Sequence, residues 1–269
     1  MKARVFRLLL LLVLFYATLC VALYVMQARM LFPMAGMGRG QPLPDVGSVD
    51  VHWLTLGDGT RVRAAVANQE RPKAWMLFFV GNGQDLRSGV YWAQAWRAYD
   101  VVAVVPEYPG YGDSEGAPCQ ASLVAAAHAA AAFAAAGARR AGVPLVVAGA
   151  SLGSYPAVQL AAEGIGDRLL LLAPFTSVRE VAVSRFWFMP VRWLLRHPLD
   201  NLARAAQVVQ PALVLHGDTD DVIPVQYGRT LATALRARFV LAAGCGHNDL
   251  PVEAHGPFGG ELRRFLHGD

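Results

Sequence analysis

Short runs of continuously apolar residues, separated by segments of helical character, constrain the fold of this chain most. After a Gly-Asp-Gly-Thr hairpin signal at 57–60, apolar runs such as Trp75–Val80 and Leu145–Ala148 alternate with longer segments such as the alanine-rich Ala121–Ala136. Strands that are apolar throughout, rather than at every second residue, are buried on both faces. The alternation therefore predicts an α/β fold with a mostly parallel central sheet and helices on both of its faces.

The length of the chain predicts one large domain. A chain of 269 residues can bury a substantial core but is too short for two domains of typical size. We expect residues 49–269 to form this domain. We interpret residues 30–48, which are rich in proline and glycine, as a linker.

The N-terminal segment, residues 1–29, predicts a membrane anchor. Leu8–Met26 is a run of nineteen residues without a charge, which is about the length of a helix that crosses a bilayer core. Three basic residues precede the run and only Arg29 follows closely, so we expect the domain outside the cytoplasm, on the periplasmic side if the cell is bacterial. A cleavable signal sequence is the alternative, and the length of the run favours an uncleaved anchor.

A candidate nucleophile lies in a Gly-x-Ser-x-Gly motif. Gly149, Ser151 and Gly153 follow an apolar run and precede a helix-compatible stretch, which is the setting of a nucleophile elbow. In this tight turn the serine hydroxyl projects above the sheet, and the glycines remove side chains that would collide with neighbouring elements. We expect Ser151 to be the nucleophile and the backbone N–H of Leu152 to donate to the developing oxyanion.

The base and the acid are expected in loops that follow later strands, where the carboxyl ends of parallel strands meet. His247 lies in a glycine-rich loop directly after the last predicted strand, so we expect it to take the proton of the serine. The acid that orients it should follow a strand between Ser151 and His247. Asp218, Asp220 and Asp221 all meet this condition, and position alone does not choose among them.

A second oxyanion donor is expected in the loop after the first buried strand. Gly81, Asn82 and Gly83 follow Trp75–Val80 directly. Backbone N–H groups in such a loop can point at a carbonyl oxygen bound above the sheet. We expect the donor to be the amide of Asn82, and a plain glycine turn is the alternative.

The largest insertion between two predicted strands is a small cap at about residues 178–210. It is strongly apolar and contains Phe186, Trp187, Phe188, Met189 and Trp193. One interpretation is a lid over an acyl pocket, close to the bilayer. The other is a helical cap that buries its own aromatic side chains.

Five motifs carry a resemblance to a known family. They are QARMLFP at 27–33, GNGQDL at 81–86, YPGYGDSEG at 108–116, PFTS at 174–177 and GCGHND at 244–249. With these motifs the chain resembles the α/β-hydrolase superfamily, and more narrowly its serine aminopeptidase-like group, which includes membrane-anchored hydrolases and protein depalmitoylases. The resemblance covers about residues 27–266. It implies that Asp220, the fifth residue of the family's H-G-x-x-D pattern, is the acid.

The sequence departs from the family pattern at Val80, where the family usually has a histidine. The backbone N–H of Asn82 can still donate, because it does not depend on the side chain at position 80. The contacts that support the oxyanion loop are expected to differ. The Tyr108–Gly116 motif is interpreted as structural rather than catalytic.

The resulting prediction is a serine hydrolase that cleaves carboxylic esters or thioesters through an acyl-enzyme. Its expected partners are acyl substrates, including lipids or lipidated proteins, and the membrane through the N-terminal helix. Neither a cofactor nor a metal is expected, and the scattered basic residues behind the net charge of +4 do not indicate nucleic-acid binding. A peptidase acting on small peptides and a catalytically silent binding protein are the alternatives.

The cysteine pattern does not predict a zinc site. The chain has three cysteines, of which Cys119 and Cys245 lie in loops, and none forms a CxxC pair. We expect unpaired thiols, with a Cys119–Cys245 disulfide as the alternative in an oxidising compartment.

Overall fold

The computed structural model describes residues 2–268, which form a long N-terminal helix and one α/β domain. The strands are β1 (Val49–Thr55), β2 (Arg61–Ala67), β3 (Ala74–Phe79), β4 (Val101–Pro106), β5 (Leu145–Ala150), β6 (Arg168–Leu172), β7 (Ala212–Gly217) and β8 (Arg238–Ala242). The helices are α1 (Lys2–Leu31), α2 (Leu86–Arg97), α3 (Gln120–Ala141), α4 (Ser154–Ala162), α5 (Val178–Arg185), α6 (Val191–Leu194), α7 (Leu202–Ala205), α8 (Val225–Ala234) and α9 (Gly259–His267).

The sheet confirms the predicted α/β architecture. Its eight strands lie in the order β1-β2-β4-β3-β5-β6-β7-β8. β1 and β2 pair antiparallel, as do β2 and β4, whereas all pairs in the series β4-β3-β5-β6-β7-β8 are parallel. β4 and β7 are buried along their whole length, because helices cover the sheet on both sides.

Two layers of helices enclose this sheet. On one face α3, α4, α7 and α8 contact one another in series. On the other face α9 lies beside the end of α2, where Arg263 pairs with Asp100 and donates to the carbonyl of Ala98. The carboxyl ends of β3, β5, β7 and β8 therefore meet at one edge, above which the predicted site residues lie.

Helix α1 contains the predicted apolar run and has no buried residue along its thirty positions. It is long and apolar enough to cross a membrane. Helix α3 meets the same criteria of length and composition. However, its alanine-rich face is packed in the core of the domain.

The segment at 32–48 has irregular structure but is attached to the domain. Phe32 is fully buried in the core. Ala35 forms a β-bridge with Tyr111, and the amide of Gly36 donates to the carbonyl of Gly110. These contacts fix the end of α1 against the loop that follows β4.

The cap between β6 and β7 exposes most of its aromatic side chains. Trp187 and Trp193 are 80% and 84% exposed, and Phe188 is half exposed, whereas Met189 is buried. The exposure of these side chains differs from the alternative interpretation, in which the cap buries its own aromatic side chains. The cap approaches α1 at this point, because the Tyr16 hydroxyl of α1 donates to the carbonyl of Phe188.

Candidate active site

The turn that carries Ser151 has the geometry of a nucleophile elbow. β5 ends at Ala150, and Ser151 adopts a left-handed φ of 50° before α4 begins. A Cβ on Gly149 would lie 2.1 Å from the carbonyl oxygen of Gly153, and a Cβ on Gly153 would lie 2.1 Å from that of Phe79. Both positions therefore require glycine, and the chain accepts an unfavourable φ at the serine.

The structure brings Ser151, His247 and Asp220 into one hydrogen-bonded series. The Nε2 atom of His247 is 3.0 Å from the Ser151 Oγ, and its Nδ1 atom is 2.7 Å from the Asp220 Oδ2. The Asp220 side chain is fully buried and that of His247 nearly so. These residues follow β5, β8 and β7, so three separate loops build the arrangement.

The surroundings of Asp220 distinguish it from the two neighbouring aspartates. Its Oδ1 atom accepts from the amides of Val222 and Ile223, at 2.9 and 2.7 Å. Burial raises the pKa of Asp220, but hydrogen bonds from His216, His247 and Ile223 outweigh it and hold the pKa well below its ordinary value. The carboxylate is therefore charged at neutral pH.

The other two candidates face elsewhere. The Asp218 side chain is exposed and accepts from the amide of Gly244 at 2.7 Å. Asp221 is also exposed, and its carbonyl accepts a hydrogen bond from Arg185. Among residues 2–268, Asp220 is thus the aspartate that contacts His247.

His216 is a buried partner of Asp220. Its Nε2 atom lies 2.8 Å from the carbonyl oxygen of Ile223 and 3.1 Å from the Asp220 Oδ2. Both neighbours are acceptors, so this nitrogen carries a proton. The buried Nδ1 atom has no hydrogen-bond partner within the described residues. His216 lies at the carboxyl end of β7 and so holds the loop that carries Asp220.

The loop with Asn82 lies beside the elbow and is held by two tyrosines. Asn82 and Leu152 line a cavity of about 560 Å³ together with Ser151. The hydroxyl of Tyr108 donates to the carbonyl of Val80 at 2.6 Å, and that of Tyr111 donates to the carbonyl of Asn82 at 2.9 Å. The Val80 side chain is buried, and the side-chain hydroxyls of the Tyr108–Gly116 motif support this loop through its backbone carbonyls.

A buried ion pair anchors the Tyr108–Gly116 motif in turn. The fully buried Glu107 accepts from Arg63 Nε at 3.1 Å, from the Ser114 hydroxyl at 2.7 Å and from the Leu86 amide at 3.0 Å. Sequence reasoning missed this pair. Its only signal is a charged residue within or directly after an otherwise apolar strand.

The cavity above Ser151 has uncharged walls. Apolar side chains line much of it, including Trp92, Leu172, Phe175, Val222 and Ile223. No Lys, Arg, Asp or Glu lines it within the part of the chain that the structure describes. Its volume falls within the range of about 300–1,000 Å³ that is usual for small-molecule sites.

The cysteines lie apart from one another in the fold. Cys119 caps α3, and Cys245 lies in the loop that carries His247; both thiols, like that of Cys20, are free. No group of three His, Cys, Asp or Glu residues between 2 and 268 is arranged to hold a metal ion.

Comparison with known sequences finds relatives but no matching family model. An uncharacterized protein of Mycobacterium tuberculosis is 32% identical over 188 residues, which cover 69% of this chain and 67% of that protein. Human alpha/beta hydrolase domain-containing protein 17B is 28% identical over 70% of this chain and 60% of its own length. Lysophosphatidylserine lipase ABHD12 of Macaca fascicularis is 31% identical over 59% of this chain, but this chain spans only 44% of it.

Solved structures share the fold. TT1662 from Thermus thermophilus superposes with a TM-score of 0.61 at 24% identity, covering 82% of this chain and 97% of that one. The Pyrococcus furiosus esterase PF2001 gives a TM-score of 0.67 at 11% identity, covering 81% and 89%. The sheet order, the relatives and these neighbours confirm the predicted resemblance to the α/β-hydrolase superfamily, and the chain has the α/β-hydrolase fold.

Proposed function

We propose that the chain is a serine hydrolase that cleaves carboxylic ester or thioester bonds of acylated substrates. The observation that carries the proposal is the series Ser151–His247–Asp220, with contacts of 3.0 and 2.7 Å, on a strained turn beside a cavity. A binding role would require none of these contacts. In this proposal Ser151 is the nucleophile, His247 the general base and Asp220 the residue that orients His247.

In the acylation step the Ser151 oxygen attacks the carbonyl carbon of the substrate. His247 Nε2 takes the hydroxyl proton as the new C–O bond forms, and Asp220 stabilises the resulting imidazolium. The negative charge that develops on the carbonyl oxygen is held by the backbone N–H groups of Leu152 and Asn82. His247 then returns the proton to the leaving alcohol or thiol, and the acyl-enzyme remains.

Deacylation repeats the same steps with water. His247 removes a proton from a water molecule, which attacks the acyl carbon and releases the carboxylic acid from Ser151. All proton transfers pass through one imidazole, so no step in this scheme requires a metal or an organic cofactor.

The uncharged cavity favours an acyl substrate over a small peptide. A small peptide carries a charged terminus, and burying a charge without a partner is costly. The apolar walls around Ser151 suit an acyl chain instead. The relative ABHD12 is named a lysophosphatidylserine lipase, and a lipid substrate for this chain agrees with that likeness.

We further propose that the enzyme is anchored in a membrane. Residues 1–29 would act as the anchor, with α1 crossing the bilayer and residues 49–269 forming the catalytic domain. Lys2, Arg4 and Arg7 precede the apolar run, whereas Arg29 is the basic residue that follows it closely. This asymmetry favours a catalytic domain outside the cytoplasm.

The test is hydrolysis by the full-length protein in detergent. Substrates are p-nitrophenyl esters from acetyl to palmitoyl, the matching thioesters, and peptide p-nitroanilides. We expect ester or thioester turnover that disappears in Ser151→Ala and in His247→Ala. The control variants Ser184→Ala and His128→Ala change exposed side chains away from the site and should keep it. Peptide cleavage alone would favour the peptidase, and a folded protein that cleaves nothing would contradict the proposal.

A further inference from the structure

A second cavity lies between the anchor helix and the cap, outside the site described above. It has a volume of about 220 Å³ and is lined from both sides by apolar residues: Leu23 and Met30 of α1, and Ala182, Phe186, Met189 and Leu195 of the cap. An apolar cavity of about 150 Å³ is large enough to bind benzene. This one can therefore hold a segment of a hydrocarbon chain.

Hydrogen bonds fix the two walls of this cavity against each other. The side chain of Gln27 in α1 donates to the carbonyl of Leu194 at 3.1 Å and accepts from the amide of Arg196 at 2.7 Å. Both ends of this amide are thus occupied by the cap. Burial lowers the pKa of the lining His197, and the charge of Arg196 lowers it further, which favours an uncharged imidazole in the wall.

The cavity meets the candidate active site at its inner end. Leu31 and Val181 line both this cavity and the cavity that contains Ser151. The carbonyl of Leu31 also accepts from the side chain of Asn82 at 3.2 Å, which joins the end of the anchor to the oxyanion loop. A chain that passes between Leu31 and Val181 would enter the cavity above Ser151.

The outer end of the cavity lies at membrane depth when α1 spans a bilayer. Tyr16 of α1, which donates to the carbonyl of Phe188, is ten residues before Met26, the end of the apolar run. At 1.5 Å per residue this is about 15 Å along the helix axis. The tip of the cap therefore reaches into one leaflet, and Trp187 and Phe188 are exposed there. The Tyr16 hydroxyl gives the carbonyl of Phe188 a hydrogen-bond donor, which lipid tails cannot supply.

We propose that this cavity binds one acyl chain of a membrane-resident ester and admits it sideways from the bilayer. The anchor helix is then one wall of the substrate site as well as a tether. The exposed aromatics seat the cap in the leaflet, and the chain slides between α1 and α5 until its ester lies over Ser151. The inference rests on the proposed function for its chemistry, while the binding of the chain does not depend on catalysis.

The test fills the cavity from each wall and measures chain-length selectivity. Ala182→Trp fills it from the cap and Leu23→Trp from α1. Their matched controls, Val183→Trp and Val25→Trp, place the same side chain at exposed neighbouring positions that line neither cavity. The filling variants should lower the ratio of kcat/KM for palmitoyl over butyryl esters by at least about tenfold. The controls should keep the wild-type ratio.

A binding measurement separates failure of this inference from failure of the proposed function. Ser151→Ala in a lipid nanodisc is irradiated with a monopalmitoyl glycerol that carries a diazirine in mid-chain, and crosslinked peptides are identified by mass spectrometry. We expect crosslinks in residues 23–31 and 178–195, abolished by Ala182→Trp and by Leu23→Trp. If Ser151→Ala gives these crosslinks but the wild type hydrolyses no ester, only the proposed function is refuted. Ester hydrolysis with an unchanged palmitoyl-to-butyryl ratio and no crosslinks here would overturn the acyl site.

Discussion

Replacing Asp220 by asparagine should invert the tautomer of His247. The Oδ1 position faces the backbone amides of Val222 and Ile223, which must donate, so the asparagine oxygen occupies it. The amide NH₂ then takes the Oδ2 position, 2.7 Å from the Nδ1 atom of His247. A neutral imidazole can relieve this clash of donors by moving its proton to Nε2, whereas the backbone amides cannot. The nitrogen that faces Ser151 would then be unable to accept a proton.

The loss in rate can be estimated from the charge that is removed. Two unit charges about 4 Å apart attract by about 4 kcal/mol at an effective dielectric constant of about 20. That energy corresponds to about a thousandfold in rate, and the wrong tautomer alone has cost about 10⁴ in a serine protease. We expect kcat for a butyryl ester to fall at least about a thousandfold, measured well below the unfolding temperature of the variant.

The two neighbouring aspartates provide matched controls for this prediction. In Asp218→Asn the remaining oxygen can still accept from Gly244, and the Asp221 side chain is exposed. Both variants should keep kcat within about twofold of the wild type. An Asp220→Asn variant that keeps more than about a tenth of the wild-type kcat, or a control variant that loses as much activity as Asp220→Asn, would contradict this role of Asp220.

Three further predictions concern stability. Glu107→Ala leaves the buried Arg63 guanidinium paired with Asp113 but removes the shared acceptor of Arg63, the Ser114 hydroxyl and the Leu86 amide, and should destabilise the domain by about 2 kcal/mol or more, lowering the Tm by at least about 4 °C; in the exposed pair, Glu115→Ala should cost no more than about 1 kcal/mol. Gly153→Ala places a Cβ against the Phe79 carbonyl and should lower both the Tm and the ester activity, as thermal scans and assays would show. Because the pKa of Asp220 is lowered on folding, its stabilisation is present above the unfolded-state value of about 3.9. The Tm difference between the wild type and Asp220→Asn should therefore be constant above about pH 5 and shrink as the pH falls below about 4.

Local patterns were sufficient to predict the fold. Strands such as β3 and β5 are recognisable because a buried parallel strand is apolar on both faces, and the glycines around Ser151 mark a turn that few sequences allow. Helix α3 extends five residues beyond the predicted Ala136. It continues through Gly137, although glycine lowers helix propensity, and a side chain at this position would collide with Trp75.

Other features depend on contacts that no local pattern encodes. Three aspartates within four residues share the same turn chemistry, so their position in the chain does not distinguish Asp220; the resemblance to the family pattern and the contact with His247 do. Phe32 was assigned to a linker because its neighbours are prolines and glycines, yet it is buried in the core. The apolar composition of the cap predicts burial somewhere, but the contacts with α1 are set by residues about 170 positions earlier in the chain.

Covalent labelling of the full-length protein with a fluorophosphonate probe tests the central claim most directly. The probe reacts with an activated serine whatever the natural substrate, and mass spectrometry identifies the labelled residue. We expect a single adduct on Ser151, lost in Ser151→Ala, strongly slowed in His247→Ala and unchanged in Ser184→Ala. A folded protein that carries no adduct on Ser151, or that labels equally well without His247, would contradict the account.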